Sequence, residues 1–292
     1  MQYAQEGPGV VATGLDSFDI GESLECGQVF RFAKISEKTY IIVARGKVIT
    51  AAQSGGALSL RPCDIGEFEA VWLDYFDLNT DYGRIKGALS EDPVMREAVA
   101  YAGGIRILNQ DPWECLISFI ISQNNRIPQI KRVISNLCLK YGEGLTEAGT
   151  EYGAFPTPQG LKGAGIEDLA ACRMGFRAKY ILDAVAKTLS GELDFAALPG
   201  LKTPELRDKL TGVYGVGTKV ADCTMLFGFG RRGVFPVDVW IKRVMEHYYF
   251  GGRNVPIKDV SAFAAERFGE LAGYAQQYLF HFARSTRVGA GK

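Results

Sequence analysis

The sequence predicts an α+β protein that is mainly helical, with an antiparallel β-rich N-terminal domain at residues 1–100 and a helical body at residues 101–292. Residues 1–70 alternate runs of β-branched and aromatic residues with glycine-containing turn signals, which is typical of short antiparallel strands. From about Trp72 onward the apolar residues recur at helical spacing. At 292 residues and 47% hydrophobic residues, the chain can bury a large core and form more than one subdomain.

The strand pattern of the N-terminal domain includes one clear hairpin. Residues 39–44 and 47–52 flank Arg45-Gly46, and a further strand is predicted at residues 57–60. Residues 23–32 also have a strand-like pattern, which Gly27 interrupts. A glycine inside a strand indicates a bulge or a close backbone approach.

The helical body has its clearest start signal at Asp111-Pro112-Trp113-Glu114. An N-cap Asp, a first-turn Pro and a third-position Glu predict a capping box. The apolar run that follows, to residue 121, predicts a buried central helix, and residues 122–126 a polar loop. A stretch rich in Gly, Thr and Pro predicts a loop or linker at residues 142–165. Further helices are predicted at residues 128–141, 177–189, 257–268 and 271–283.

Residues 204–228 predict two helices joined by a tight hairpin. Gly215 and Gly217 permit a positive φ or a close backbone approach, and Thr218 is placed to cap the second helix. The open amides of the turn face outward, where they can bind a phosphate. The spacing nearly matches a phosphate-binding P-loop, but the order Thr-Lys at residues 218–219 departs from the Gly-Lys-Ser/Thr that a P-loop needs.

Lys219 and Asp238 are the two charged residues in this region that are candidates for a catalytic role. Lys219 lies in the first turn of a helix, which is the unfavourable end of the helix dipole for a cation. A free amine there can form a Schiff base. The alternative is a solvated lysine that contacts a DNA phosphate. Asp238 is the N-cap of the next helix, a functional carboxylate, or both.

The string Gly-Val-Gly-Thr-Lys-Val-Ala-Asp-Cys at residues 215–223, with Pro-Val-Asp at residues 236–238, resembles the helix-hairpin-helix, Gly/Pro-Asp superfamily of DNA glycosylases. The sequence of this motif is most similar to that of the 8-oxoguanine DNA glycosylases. The resemblance implies a β-rich domain packed on two helical lobes, with the DNA between the lobes. It also implies a base excision repair enzyme that flips 8-oxoguanine out of duplex DNA, excises it through a lysine Schiff base and cleaves the abasic strand by β-elimination. It implies no cofactor.

The resemblance assigns roles to the residues that match its motifs. Lys219 attacks the sugar C1′, and Asp238 stabilises the positive charge that develops on the sugar. Phe280 stacks on the flipped base opposite Cys223, and Gln276 binds the Watson–Crick edge. Without the resemblance, Phe280 and Cys223 would be ordinary core residues.

Lesion selectivity is assigned to the backbone carbonyl of Gly27. Guanine N7 is an acceptor, whereas 8-oxoguanine carries a hydrogen at N7 and donates from it. A carbonyl aimed at that atom attracts the lesion and repels normal guanine, a difference on the order of 1 to 3 kcal/mol.

The remaining matches concern the DNA around the lesion. The resemblance implies that Asn124 fills the gap left by the base and that Arg177 reads the estranged cytosine. Gln129 stands where better-known relatives have a second arginine, so we expect a weaker preference for cytosine. Phe176 replaces an intercalating tyrosine and Trp240 a phosphate-binding histidine. Three hairpin residues complete the predicted DNA-binding set: Gly215, Gly217 and Val220.

Charge and cysteine content agree with a DNA partner and predict no metal. The net charge is zero, but residues 201–292 carry 14 Lys and Arg against 8 Asp and Glu, so the basic character is local. The six cysteines lack metal-ligand spacing, and none follows Cys223, which excludes the C-terminal iron–sulfur loop of some relatives. The sequence shows no membrane-spanning apolar run and no leader, so we expect a bacterial, cytoplasmic protein that associates with the nucleoid. We also expect a monomer that acts on double-stranded DNA containing 8-oxoguanine.

Two alternatives stay open at this point. One is a related glycosylase for another damaged base, although Lys219 argues against a monofunctional alkylbase enzyme and the missing cysteine loop argues against an adenine-mispair enzyme. The other is a non-catalytic helix-hairpin-helix DNA-binding protein, which would have no use for Lys219 together with Asp238.

Overall fold

The computed structural model describes residues 1–286. Its N-terminal part is a six-stranded antiparallel sheet in the order β1-β2-β6-β5-β4-β3. The strands are Gln2–Glu6 (β1), Gly9–Thr13 (β2), Phe32–Ser36 (β3), Thr39–Ala44 (β4), Lys47–Ser54 (β5) and Ala57–Arg61 (β6). The predicted hairpin is confirmed, since Arg45 and Gly46 both adopt the positive φ that a two-residue turn between β4 and β5 requires.

One face of this sheet is covered, as the alternation along its strands shows. Alternate residues in the middle of β2, β4, β5 and β6 are buried, and these side chains form one core with aromatic residues of the segments that follow. The core members from the strands are Val10, Ala12, Tyr40, Ile42, Ile49, Ala51, Leu58 and Leu60. The aromatic residues that cover them include Phe68, Trp72, Tyr75 and Phe76.

The segment around Gly27 differs from the strand-like pattern expected for residues 23–32. Residues Ile20–Glu25 form a helix, α1, whose N-cap Asp19 accepts a hydrogen bond from the Glu22 amide. Gly27 follows the helix with a φ of +94°, and β3 begins only at Phe32. The apolar residues of α1 face the sheet, so tertiary packing and the Asp19 cap outweigh the strand propensity of the sequence.

Helices make up most of the remaining chain, as predicted. Two short helices, Ile65–Glu67 (α2) and Leu73–Tyr75 (α3), flank a π-helical segment, Phe68–Trp72. The others are Tyr82–Leu89 (α4), Pro93–Tyr101 (α5), Pro112–Ser122 (α6), Ile127–Tyr141 (α7), Ile166–Ala171 (α8), Ala178–Leu189 (α9), Thr203–Thr211 (α10), Thr218–Phe227 (α11), Val239–Tyr249 (α12), Ile257–Phe268 (α13) and Ala272–Thr286 (α14). The predicted domain boundary near residue 100 stays a prediction. Within residues 1–286 no helix is long and apolar enough to cross a membrane.

Helix α6 is the buried centre of the helical body and packs along α11. Asp111 caps it by accepting a hydrogen bond from the Glu114 amide at 2.8 Å. The reciprocal half of the expected capping box is absent, because Glu114 Oε2 instead lies 3.5 Å from Nη1 of Arg31. A buried arginine from the segment before β3 therefore takes the carboxylate that would otherwise bind the helix end.

The stretch at residues 142–165, expected to be a loop or linker, contains a small hairpin. Its strands are Gly144–Glu147 (β7) and Thr150–Gly153 (β8). Ala148 and Gly149 both have positive φ and form the two-residue turn between them. Ala148 gives no sequence signal for such a turn, which explains why the hairpin was not predicted.

The predicted helix-hairpin-helix is formed by α10 and α11. Gly215 has a φ of +78°, and a Cβ at this position would overlap the ring of Tyr180. The prediction that Thr218 caps the second helix is wrong. Gly217 is the N-cap residue and has no side chain to offer, so the first-turn amides of α11 have no side-chain cap.

Candidate active site

Lys219 lies in the first turn of α11, directly after the hairpin. Its ammonium nitrogen is 4.9 Å from the centre of the Phe119 ring on α6, a cation–π distance. The side chain is half-buried, and Cys223 follows it by one helical turn. Helix packing between α6 and α11 therefore fixes the position of the amine.

Asp238 is held at the start of α12. Its Oδ1 accepts a hydrogen bond from the Ile241 amide at 2.8 Å, which confirms the expected N-cap. The carboxylate also lines the same small cavity as Lys219. The cap thus holds the carboxylate in the wall of the cavity that Lys219 also lines, and the hydrogen bond needs only one of its two oxygens.

The cavity brings together six of the residues that the sequence predicted for catalysis and base recognition. They are Gly27, Lys219, Cys223, Asp238, Gln276 and Phe280. Its volume is about 40 Å³, close to the space of one water molecule. A purine base therefore requires a movement of the lining side chains before it can enter.

Gln276 is buried in α14, and its Oε1 accepts no hydrogen bond within residues 1–286. An orphaned acceptor costs on the order of 1 to 3 kcal/mol unless a ligand satisfies it. Such an atom on a cavity wall suits a ligand that donates hydrogen bonds.

Gly27 lines the cavity directly beside the Phe280 ring. A Cβ at Gly27 would lie 3.1 Å from Cε1 of the Phe280 ring, and the positive φ of this residue also disfavours any side chain. Because glycine has no side chain, only its backbone lines the cavity. The backbone can therefore approach a ligand closely at this point.

Cys223 contributes a neutral thiol to the cavity wall. Burial raises the pKa of this thiol to about 11, and the nearby Lys219 ammonium only partly offsets the effect. A thiol in this state packs as a small, polarisable group and does not act as a nucleophile.

Three of the predicted DNA-contact residues, Asn124, Phe176 and Arg177, lie outside the cavity near the end of α6. Asn124 has a left-handed backbone with a φ of 49°, and its side chain is exposed. The Arg177 guanidinium is buried and donates to the Gln123 carbonyl from Nε at 2.9 Å and to the Asn124 carbonyl from Nη2 at 3.1 Å. It also stacks 4.4 Å from the centre of the exposed Phe176 ring.

The other predicted DNA contacts are spread over three elements. Gln129 lies half-buried in the first turn of α7, and Trp240 is exposed in the first turn of α12. Gly215 and Gly217 are at the hairpin, and Val220 is buried in the first turn of α11. Val220 can therefore contact a partner only through its backbone.

Sequence reasoning missed four residues of the cavity: Phe119, Phe227, Pro236 and Gln277. Phe227 could have been found, because it follows Lys219 and Cys223 at intervals of four along α11. Phe119 could not, because its role depends on the packing of α6 against α11. Among residues 1–286 there is no cluster of three or more His, Cys, Asp and Glu residues that could hold a metal ion.

Comparison with known families agrees with this geometry. The sequence-family model of the 8-oxoguanine DNA glycosylase N-terminal domain matches residues 10–116. The model of the HhH-GPD superfamily of base excision DNA repair proteins matches residues 117–269. The chain belongs to the HhH-GPD superfamily. The resemblance inferred from residues 215–223 is thereby confirmed.

Several known proteins are similar to this chain over most of its length. The protein called MBOgg1, solved with a low-affinity DNA ligand, is 45% identical with a TM-score of 0.96, and the match covers 98% of this chain and 100% of that one. The 8-oxoguanine glycosylase/lyase of Clostridium acetobutylicum, solved with double-stranded DNA containing cytosine opposite 8-oxoguanine, is 40% identical with a TM-score of 0.96, covering 99% of each chain. A probable N-glycosylase/DNA lyase of Methanothermobacter thermautotrophicus is 34% identical over 72% of this chain and 73% of its own length.

Proposed function

We propose that this chain excises 8-oxoguanine from double-stranded DNA and then cleaves the strand at the abasic site. The observation that carries the proposal is the shared cavity. Lys219, Asp238, Gln276, Phe280 and Gly27 come from distant parts of the sequence and line one space of about 40 Å³. The similarity to the Clostridium acetobutylicum 8-oxoguanine glycosylase/lyase along the whole chain supports it. One chain supplies every residue of the site, so we propose that it acts as a monomer.

Lys219 is the proposed nucleophile. Its free amine forms a bond to the sugar C1′ while the bond from C1′ to the base nitrogen breaks, and the proton lost by the amine goes to the departing base. The nitrogen lone pair then forms the C1′=N double bond of the Schiff base as the bond from C1′ to the ring oxygen breaks, and the ring oxygen becomes a hydroxyl by taking the second proton of the amine. Transfer of a C2′ proton to solvent water then forms a C2′=C3′ double bond, and the C3′–O bond breaks with its electron pair leaving on the 3′ phosphate, so the strand is cleaved.

Asp238 is the proposed electrostatic stabiliser of this reaction. Positive charge develops on the sugar as the base departs, and a fixed carboxylate lowers the energy of that state. The hydrogen bond from Ile241 uses only one carboxylate oxygen and holds the group in place. Asp238 therefore needs no reorganisation when the charge appears.

Base recognition is assigned to Gln276, Phe280 and Gly27. The orphaned Gln276 Oε1 is an acceptor for the N–H donors on the Watson–Crick edge of the lesion. The Phe280 ring offers a stacking face, and the neutral Cys223 thiol lines the same cavity. Because the cavity is smaller than a purine, entry of the base requires Phe280 or a neighbour to move.

The loop after α6 is proposed to occupy the space left in the DNA. Asn124 is exposed at its tip, and the buried Arg177 holds the carbonyls of Gln123 and Asn124. While it makes these bonds, Arg177 has few donors left for an estranged cytosine. Arg177 therefore supports the loop before it can read a base, and we propose a modest preference for the opposite base.

The test is a direct assay of base release. Duplexes that carry one 8-oxoguanine opposite cytosine are incubated with the protein, the free base is measured by chromatography and the strand by gel electrophoresis. We expect free 8-oxoguanine and a cleaved strand, with no release from a matched guanine duplex. Absence of 8-oxoguanine release, or equal release of guanine, would contradict the proposal.

A further inference from the structure

Cys26, Gly27 and Gln28 have consecutive backbone carbonyls, and buried glutamine side chains bind the first and the third of them. Gln277 on α14 donates from Nε2 to the Cys26 carbonyl at 3.2 Å. Gln110, just before α6, donates from Nε2 to the Gln28 carbonyl at 2.7 Å. Both glutamines are at most 7% exposed. The two donors come from different parts of the helical body, so the segment is held on both sides. We call Gln110 and Gln277, which bind these two carbonyls, the glutamine clamp.

The side chain of Gln28 also holds the segment of residues 26–28 in place. It is fully buried, donates to the Ser23 carbonyl at 2.7 Å and to the Arg106 carbonyl at 2.8 Å, and accepts from the Leu108 amide at 2.9 Å. A buried amide with all these partners is costly to displace. The backbone on either side of Gly27 therefore has one arrangement.

The Gly27 carbonyl is different from its neighbours. It accepts no hydrogen bond in the part of the chain that the structure describes, although Cys26 and Gln28 are both bound. The Gly27 backbone also lines the cavity. The clamp thus fixes the flanking peptides and leaves one carbonyl for a ligand.

We propose that Gln277 and Gln110 are positioning residues that hold the Gly27 carbonyl in the orientation that distinguishes 8-oxoguanine from guanine. This inference rests on the proposed function and deepens it, because neither glutamine needs to touch the base. The physical reason is that discrimination at N7 depends on the direction of one carbonyl. A peptide that can rotate loses the repulsion toward guanine N7 as well as the attraction toward the lesion N7–H.

Loss of the clamp should therefore change selectivity more than chemistry. The amine of Lys219 attacks the sugar, and an abasic site has no base to be read. Excision of 8-oxoguanine depends on the Gly27 carbonyl, whereas cleavage of a preformed abasic site does not. The ratio of these two rates separates a positioning role from general damage to the fold.

The test uses Gln277→Met and Gln110→Met, which keep an unbranched side chain and remove the donor. The matched control is Gln53→Met, because the partly buried Gln53 side chain also bonds to the backbone, donating to the Phe18 carbonyl and accepting from the Ile20 amide, and both groups lie outside residues 26–28. Single-turnover rates are measured on a duplex with 8-oxoguanine and on one with an abasic site. Binding to 8-oxoguanine and guanine duplexes is measured separately, with each variant also carrying Lys219→Gln to prevent turnover.

We expect the ratio of excision to abasic cleavage to fall about tenfold in Gln277→Met, as for the loss of one oriented hydrogen bond. The preference for binding 8-oxoguanine over guanine should fall by a similar factor, and Gln53→Met should match the parent in both. Equal losses in both rates, or an unchanged binding preference, would overturn the inference. If Gln110→Met does not fold, Gln277→Met decides. A parent that releases no 8-oxoguanine would contradict the proposed function itself, and the inference with it.

Discussion

Asp238 Oδ1 accepts a hydrogen bond from the Ile241 amide at 2.8 Å, so the carboxylate that shares a cavity with Lys219 is also the N-cap of α12. The two roles use different properties of the side chain. Capping needs an oxygen acceptor, whereas stabilisation of a cationic sugar needs a negative charge. Substitutions can therefore separate stability from catalysis at this position.

Asp238→Asn is expected to keep the stability of the parent and to lose activity. Asparagine caps a helix about as well as aspartate, but it carries no charge, so base excision should fall by about 10²- to 10³-fold. Asp238→Ala should lose activity and also about 1 kcal/mol of stability. Urea unfolding and single-turnover excision measure the two effects. An active Asp238→Asn variant would contradict the electrostatic role.

Gly27→Ala is expected to close the base site. The new Cβ would press on the Phe280 ring at 3.1 Å, and the φ of +94° would strain the backbone. We expect excision of 8-oxoguanine to fall by at least about tenfold. Gly46→Ala is the control, because Gly46 also has a positive φ of 72° but no atom within 4 Å of its Cβ position. Equal effects of both changes on excision would show that strain alone is responsible.

Gln129→Arg is expected to increase the preference for cytosine opposite the lesion. Gln129 lies in the first turn of α7, and an added guanidinium fork there should favour cytosine over other bases by about 1 to 3 kcal/mol. Rates on duplexes with 8-oxoguanine opposite each of the four bases measure the change. Gln2→Arg, on the exposed edge strand, adds the same charge and should leave the order of the four rates unchanged. No change in preference with Gln129→Arg would refute this role.

Glu114 should make stability fall as pH rises. Burial raises the pKa of its carboxyl from 4.5 to about 7, against the opposing effect of Arg31. The folded state then binds the proton more tightly than the unfolded state, so this contribution is complete below the unfolded pKa and is lost as pH rises through the folded pKa.

The comparison of Glu114→Gln with the parent isolates this effect, because glutamine does not titrate. The difference in free energy of unfolding should shift in favour of the variant between about pH 4.5 and about pH 7. Urea unfolding at several pH values measures it. Glu167→Gln, at an exposed position on α8, is the control and should follow the parent. A constant difference between Glu114→Gln and the parent would show that Glu114 does not carry this linkage.

Local signals in the sequence predicted the elements that have strong caps and clear periodicity. The Asp-Pro start of α6 and the turn at Arg45-Gly46 depend on neighbouring residues only, and both are present. Helix α1 was missed because its apolar face is set by the sheet it covers. The hairpin β7–β8 was missed because Ala148 adopts a positive φ without a glycine or asparagine to indicate it.

In the candidate site, too, residues with a sequence signal were predicted, and those that depend on tertiary packing alone were not. A motif in one segment pointed to Lys219 and Asp238, and the family resemblance added Gly27, Gln276 and Phe280. The glutamine clamp could not be predicted, because Gln110 and Gln277 meet the Gly27 segment only through tertiary packing. Nothing in the sequence separates these buried glutamines from exposed ones.

The central claim is that the Lys219 amine forms a Schiff base with the sugar of the excised lesion. Borohydride reduction during turnover on an 8-oxoguanine duplex tests it most directly, because it converts that intermediate into a permanent covalent adduct. The account predicts an adduct that requires both the lesion and Lys219, and no adduct with Lys219→Gln, although this variant still binds the duplex. Base release without any adduct in the parent, or an adduct that persists in Lys219→Gln, would contradict the account.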